Sequence, residues 1–342
     1  MCRDLLDKTI AGLRWIVIGL LAGVLIGAVG GVFAKLIVAV TELRLAHFWM
    51  ILLLPAAGVL IIFCYHAIGS REDKGTNTVI TAIREDQEVP MQMAPLIFIA
   101  TVLTHLSGGS VGREGAALQL GGSMGNALGR ILRLDSAERR IVIMTGMSAA
   151  FAALFGTPLA AAVFAMEVSA VGVMNYSALV PCSVAALAAQ QVAAAMGVHG
   201  ISVKLADVPA LTASTALQIG AMAVIFALVS VFFCLAMHKT EEVMEGRIHQ
   251  EYVRILLTAA ILIALTLLVG DQTYNGVGGG TIMTCITEEG KVVPSYAFLL
   301  KILFTAITLA GGFKGGEIVP ALFVGATLGS TLGGLFGIST TL

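Results

Sequence analysis

Residues Gly108-Gly109-Ser110-Val111-Gly112-Arg113-Glu114-Gly115 place an arginine and a glutamate between two long apolar runs. These are Ala94–Leu106 before the stretch and a Gly/Ala/Leu-rich segment from Ala116 onward. Ionised side chains at membrane depth are expensive unless they are paired or wet. The glycines let backbone N–H groups come close to a ligand, and the residues after them read as a helix start. A helix start carries unpaired N–H donors and the positive end of the helix dipole, which makes it an anion site. The stretch therefore reads as the mouth of an anion pathway that holds a titratable carboxylate.

The rest of the chain supplies the membrane. Of its 342 residues 58% are hydrophobic and only 12% charged, too few charges to solvate a water-soluble fold of this length. The net charge of −1 argues against nucleic acid as a partner. Cys2, Cys64, Cys182, Cys234 and Cys285 are scattered without metal-ligand spacing and read as small core hydrophobes. No metal, cofactor or nucleophile–base pair is expected, so an enzyme is not. The charges in Met1–Arg14 precede a first spanning helix rather than a cleaved signal peptide.

Taken in order, Trp15–Val40 is long enough to span with tilt, and Gly19, Gly23 and Gly27 at four-residue spacing suit close helix packing. Phe48–Ile68 is a second span, and Gly69–Gly75 is a loop carrying Arg71, Glu72, Asp73 and Lys74. Thr76–Ile83 and Met93–Leu106 are too short to span, and Ala116–Leu132 follows the motif. Asp135-Ser136-Ala137-Glu138 forms a capping box for the helix up to Phe155. Gly156-Thr157-Pro158 breaks that helix and Leu159–Val171 resumes it. Ala178–Met196, Leu217–Met237 and Ile255–Leu268 span, joined in part by a more polar connection over Gly197–Ala213. Phe298–Leu309 is short, and Gly311–Gly337 is the last element. Broken helices at membrane depth are tolerated only where the backbone lines a cavity or is buried in protein, and broken segments in matching halves mark transport sites.

The halves do match. Gly75-Thr76-Asn77-Thr78 aligns with Gly278-Gly279-Gly280-Thr281, and Gly108-Gly109 through Glu114 with Gly311-Gly312 through Glu317, both at an offset of 203 residues. The competing reading is unrelated glycine-rich packing helices. Similarity alone leaves the halves either inverted or parallel. The expected organisation is a single transmembrane transport domain over 1–342, with a first repeat over about 10–196 and a second over about 213–342. About 66 residues run from Arg130 to Met196 whereas 9 follow its counterpart Gly333, so the second repeat is expected to be incomplete.

Gly112, Arg113, Glu114 and Gly115 carry the strongest signal. An Arg–Glu pair that only fixes helix packing is the competing reading, weakened because adjacent side chains pair poorly. On the functional reading, Glu114 competes with the anion when ionised and withdraws when protonated. In the partner motif Lys314 to Pro320, Gly316, Glu317, Ile318 and Val319 are candidate anion-binding residues, the amides of Ile318 and Val319 being free to face an anion, with proline tolerated in the first turn. Phe323, a turn on, is equally a packing residue or a pathway lining. His105 reads as a buried histidine before a proton relay, and Glu167 divides between a structural and a functional role.

At these motifs the chain resembles the CLC family of chloride channels and anion/proton exchangers. The family's G-R-E-G-P loop, whose glutamate is the external gate, matches Gly112-Arg113-Glu114-Gly115 with Ala116 in place of proline. Its G-I-F-A-P loop matches Gly316-Glu317-Ile318-Val319-Pro320, and its N-A-P-L-A segment matches Gly156-Thr157-Pro158-Leu159-Ala160. The first loop, Gly75-Thr76-Asn77-Thr78-Val79, has Thr76 where chloride-selective members have serine. Together with Leu103 to Ser110 and Gly311 to Glu317 this wording is similar to the fluoride-exporting bacterial branch. Val168 stands where many exchangers carry an internal proton-transfer glutamate, Glu167 being one position off. The tyrosine of the family's last helix has no counterpart.

The resemblance implies an all-α inverted-repeat bundle with broken and re-entrant helices, assembled as a homodimer with one pore per subunit in the bacterial inner membrane. It implies fluoride/proton antiport that exports fluoride, with Thr76, Asn77 and the helix-start amides as close donors for a tightly hydrated ion. The rivals are a chloride/proton exchanger or chloride channel, and a non-transporting membrane scaffold. Basic residues Arg3, Lys8 and Arg14 before the first span imply a cytoplasmic N-terminus.

Overall fold

The computed structural model describes residues 2–69, 75–85, 87–170, 172–200, 203, 210, 212–287 and 293–337. Among these residues the secondary structure is helical throughout, with one isolated bridge and no strand. The helices are α1 (Cys2–Ala46), α2 (Leu54–Ile68, entered through a 3-10 turn at Phe48–Leu53), α3 (Thr76–Glu85), α4 (Met93–Ser107), α5 (Glu114–Ile131), α6 (Ser136–Phe155) and α7 (Pro158–Glu167). Then come α8 (Leu179–Ala195), α9 (Ala213–Arg247), α10 (Glu251–Val269), α11 (Gly279–Thr287), α12 (Ala297–Ala310) and α13 (Ile318–Phe336). Six segments among the described residues are long and apolar enough to cross a membrane, and α4, α7 and α12 are apolar but shorter.

Four expected elements have moved boundaries. α1 and α9 extend well beyond their apolar stretches, because hydropathy marks the lipid-embedded part of a helix while backbone hydrogen bonding continues past it. α7 stops at Glu167 rather than Val171, the chain turning through Ala170 N–H to Glu167 O and Val173 N–H to Ala170 O. The last element begins as a loop and turns helical only at Ile318. The expected charged loop, Arg71 to Lys74, lies outside the described residues, as does most of the connection expected over Gly197–Ala213. Helix positions recur at the offset seen in the sequence: α3 starts at Thr76 and α11 at Gly279, and α4 ends at Ser107 and α12 at Ala310.

The chain divides into two compact units. The first comprises Met1–Ala39, Cys64–Ile99 and Glu114–Ile201. In it α1 lies against α8 along its glycine ridge. A Cβ on Gly19 would stand 2.9 Å from Pro181 O, one on Gly23 2.6 Å from Ala185 O, and one on Gly27 2.6 Å from the Ala189 Cα. Such backbone-to-backbone approach is what small residues provide where lipid supplies no hydrophobic drive for helix association. α5 meets α6 in the same way, Gly121 against Gly146. Val79, Met93, Leu118, Met144, Met147 and Met166 fill the apolar core between α3, α4, α5, α6 and α7. Asp135 caps α6 by accepting from the Glu138 N–H at 2.8 Å, as the capping box predicts.

The second unit comprises Val40–Phe63, Ala100–Arg113 and Ser202–Leu342. Phe233, Ile302 and Val324 join α9, α12 and α13 in its apolar cluster. Along α9, Leu217, Val224, Leu228 and Val231 are exposed, the surface of a helix solvated by lipid.

Candidate functional site

In the second unit the glycine motif is a loop that begins where α4 ends. Thr104 O accepts from both Gly108 and Gly109 N–H, at 3.1 and 2.9 Å, and Gly108 takes φ 92°, a conformation that glycine reaches without a Cβ clash. Two hydroxyls of α12 then hold the loop. Ser110 N–H donates to Thr308 Oγ1 and the Ser110 hydroxyl pairs with Thr305 Oγ1, each at 3.1 Å. The two motifs pair directly: Gly112 N–H donates to Gly316 O at 2.7 Å and Gly316 N–H to Gly112 O at 2.9 Å, an antiparallel bridge.

This corrects one expectation. The amides of Gly108, Gly109, Ser110, Gly112 and Gly316 are engaged inside the protein, so Gly112 and Gly316 lock the two loops together instead of offering these N–H groups to an anion. The first turns that follow, α5 from Glu114 and α13 from Ile318, stay as the helix-start positions.

A short segment before α11 secures the motif from its other side. Asn275, 2% exposed, donates from Nδ2 to Gly108 O at 2.8 Å and to Thr266 Oγ1 at 3.1 Å, and Gly276 N–H donates to Gly109 O at 3.0 Å. Lys301 on α12, fully buried, donates from Nζ to Tyr274 O at 3.1 Å and Gly276 O at 2.6 Å. The same ammonium stands 5.3 Å from the ring centroid of Phe323, whose ring also meets Tyr274 edge-on at 6.1 Å. Phe323 is thus interior, not a lipid-facing residue. Arg44 at the end of α1, also buried, donates from Nε to His105 O at 3.1 Å and from Nη1 to Gln272 Oε1. Lys301, Arg44 and Asn275 went unnoticed in the sequence. A lone lysine inside Ala297–Ala310 is itself a signal, since an ionisable residue in an apolar helix rarely sits there without a role.

His105 is fully buried with Nδ1 2.8 Å from Thr101 O. A carbonyl only accepts, so Nδ1 carries a proton. Glu317 precedes α13 as an exposed residue with no side-chain capping bond, while Val319 and Phe323 behind it are buried. The two motif glutamates therefore differ: Glu317 is exposed and Glu114 is 0% exposed.

Glu114 is the first residue of α5 in the first unit, with Arg113, part-exposed, preceding it and buried Gly115 after it. α3 packs on α5 through Val79, which fills the space beside Gly122. That contact sets the start of α3, Thr76 and Asn77, beside the helix that carries Glu114 and Gly115. Gly75 takes φ 63° and closes a turn, its O accepting from Thr78 N–H at 3.1 Å. Thr76 is half-buried and Asn77 exposed, so of the two expected donors Thr76 is the enclosed one. Glu167 ends α7 as an exposed residue.

Residues 57–341 match the family model for the voltage gated chloride channel. A chloride/fluoride channel protein of Pseudomonas syringae pv. tomato is 36% identical over 323 residues, covering 93% of this chain and 72% of its own length. The chain belongs to the CLC family. The H(+)/Cl(−) exchange transporter ClcA of Yersinia pestis is more distant, 28% identical over 255 residues, and the chain spans about half of it, 52%. Among solved CLC structures, that of a CLC-type fluoride/proton antiporter superposes with a TM-score of 0.92 at 34% identity, covering 96% of this chain and 83% of that one. A slow cyanobacterial Cl−/H+ antiporter superposes at 0.79 with 17% identity, a likeness of fold alone. The protein is an all-helical, multi-pass CLC membrane protein, and members of this family are transporters or channels.

Proposed function

We propose that this CLC chain is a fluoride/proton antiporter that exports fluoride. The observation that carries the reading is Glu114: a wholly buried carboxyl at the first position of α5, in a fold that superposes on a fluoride/proton antiporter. Ionised, the carboxylate occupies the anion position at the helix start; protonated, it leaves that position and carries the proton. Thr76 and Gly115 supply donors near α3 and α5, with Asn77 at the exposed edge, and Arg113 a positive charge beside the gate. Ile318, Val319 and Phe323 form the corresponding turn of α13, with Gly112 and Gly316 tying the loops and Glu317 at the rim.

The chain acts as one transport domain built from two inverted repeats, about 10–196 and 213–342, a division supported by helix positions recurring at one offset. It works as a homodimer in the bacterial inner membrane with its N-terminus in the cytoplasm, a topology that rests on the basic residues preceding the first span. Chloride/proton exchange is the competing reading, favoured by the likeness to ClcA.

Reconstitution decides between them. Liposomes loaded with fluoride should release it through the protein, as read by a fluoride electrode, while taking up protons, and external chloride should compete weakly. Chloride flux that outpaces fluoride would assign the protein to chloride exchange. No anion flux of either kind would leave a membrane scaffold.

A further inference from the structure

Five residues beyond Glu114 on α5, Gln119 is only 2% exposed, and its Oε1 is buried with no hydrogen-bond partner among the described residues. Buried acceptors left in this state are rare because they lose their hydration without replacement. The other end of the same amide faces the start of α3. Among the described residues, the chain neighbours of Gly75 aside, Gln119 Nε2 is the one atom within 4 Å of the place where a Cβ on Gly75 would stand, at 3.7 Å. A ten-residue helix thus begins near an amide whose nitrogen lies by Gly75 and whose oxygen lacks a donor among the described residues.

We propose that the Gln119 amide is a ligand of the transported anion at the start of α3, and that it holds fluoride together with one retained water. The inference rests on the antiport reading above and deepens it. A bare anion brings no proton and cannot satisfy Oε1. A water held by the anion can, because one of its hydrogens points to the ion and the other is free to donate. Nε2–H donates to the anion while the water donates to Oε1, so both ends of the amide are satisfied by a single hydrated ion. Fluoride keeps its water most tightly among the halides, so the arrangement favours it over chloride. The α3 dipole and the Thr76 hydroxyl complete the site.

Two variants of the full chain test this: Gln119→Met, which keeps length and removes the amide, and Gln119→Asn, which keeps the amide one methylene shorter. Flux in liposomes gives KM and maximal rate for fluoride and for chloride, and thermal unfolding in detergent gives stability. Gln119→Met should raise the fluoride KM about 10- to 100-fold and change the chloride KM far less. It should unfold no earlier than wild type, since it deletes an unsatisfied buried acceptor. Gln119→Asn should fall between the two. Three results would overturn the inference: a fluoride KM within twofold of wild type, an equal rise for both anions, or Met and Asn variants that fail to fold or melt early with unchanged KM. Wild-type protein without proton-coupled fluoride flux would instead refute the antiport reading, and this inference with it.

Discussion

Asn275→Ala should unfasten the glycine motif from the segment before α11, and the structure sets the size of the effect. The side chain is 2% exposed and gives Nδ2 to Gly108 O at 2.8 Å and Thr266 Oγ1 at 3.1 Å. The threonine is not stranded by the change, because its hydroxyl still donates to Leu262 O at 2.7 Å. Gly108 O is the group left behind, buried and without this donor, which costs about 1–3 kcal/mol. Adding the lost bond to Thr266, about 0.5–1.5 kcal/mol, the expected loss is about 1.5–4.5 kcal/mol. The neighbouring bond from Gly276 N–H to Gly109 O is backbone and survives. Chemical unfolding of purified protein in micelles measures the difference. Asn275→Asp keeps the shape but turns an oxygen toward Gly108 O, so it should cost at least as much. An Asn275→Ala variant within about 0.5 kcal/mol of wild type would refute the reasoning, because a bond of this geometry and burial is expected to exceed that figure.

Gly23→Val should destabilise by about 1–3 kcal/mol, since its Cβ would meet Ala185 O at 2.6 Å and Ala188 Cβ at 2.7 Å. Gly12→Ala is the control: nothing lies within 4 Å of that Cβ, and alanine should stabilise the helix by up to about 1 kcal/mol. Equal melting of the two variants would contradict the α1–α8 packing. Thr76→Ala should lower fluoride-over-chloride discrimination by about 1–3 kcal/mol while exposed Asn77→Ala changes it by less than about 0.5 kcal/mol. Anion competition in liposomes reads both, and unchanged selectivity in the Thr76 variant would place the filter elsewhere.

Glycine and proline made much of the fold legible. Gly75, Gly108, Gly156-Thr157-Pro158 and Gly311 mark breaks that a backbone cannot conceal, so α3, α4, α6 and α12 emerged within a few residues of their true limits. The Asp135 cap was readable because it needs only a side chain and an N–H three residues on. The ends of α7 and α9 were not readable, since apolar Val168–Val171 carries no stop signal before Gly172, and the charged turns from Lys239 to Arg247 stay helical with an Lys239–Glu242 ion pair at 2.7 Å. Of the site, Glu114 stood out because a carboxyl in apolar sequence is conspicuous wherever it lies. Gly112 and Gly316 were singled out as anion donors, yet their amides serve each other, and only the folded loops reveal that. Asn275 and Lys301 depend on partners far away in the chain, Gly108 and Gly276 respectively: the lone lysine of α12 was conspicuous but its partners were not, and Asn275 and Gln119 read as ordinary polar residues.

The account stands or falls on Glu114. Glu114→Gln preserves shape and hydrogen bonding and removes titration, so fluoride and proton movements should be recorded together in liposomes holding wild type or variant. Wild type should export fluoride while importing protons, with flux that depends on pH. The variant should fold normally and show neither proton movement nor pH dependence, whatever anion flux it retains. A folded Glu114→Gln protein that still drives protons against an anion gradient would contradict the gate assignment and pass the role to Glu317.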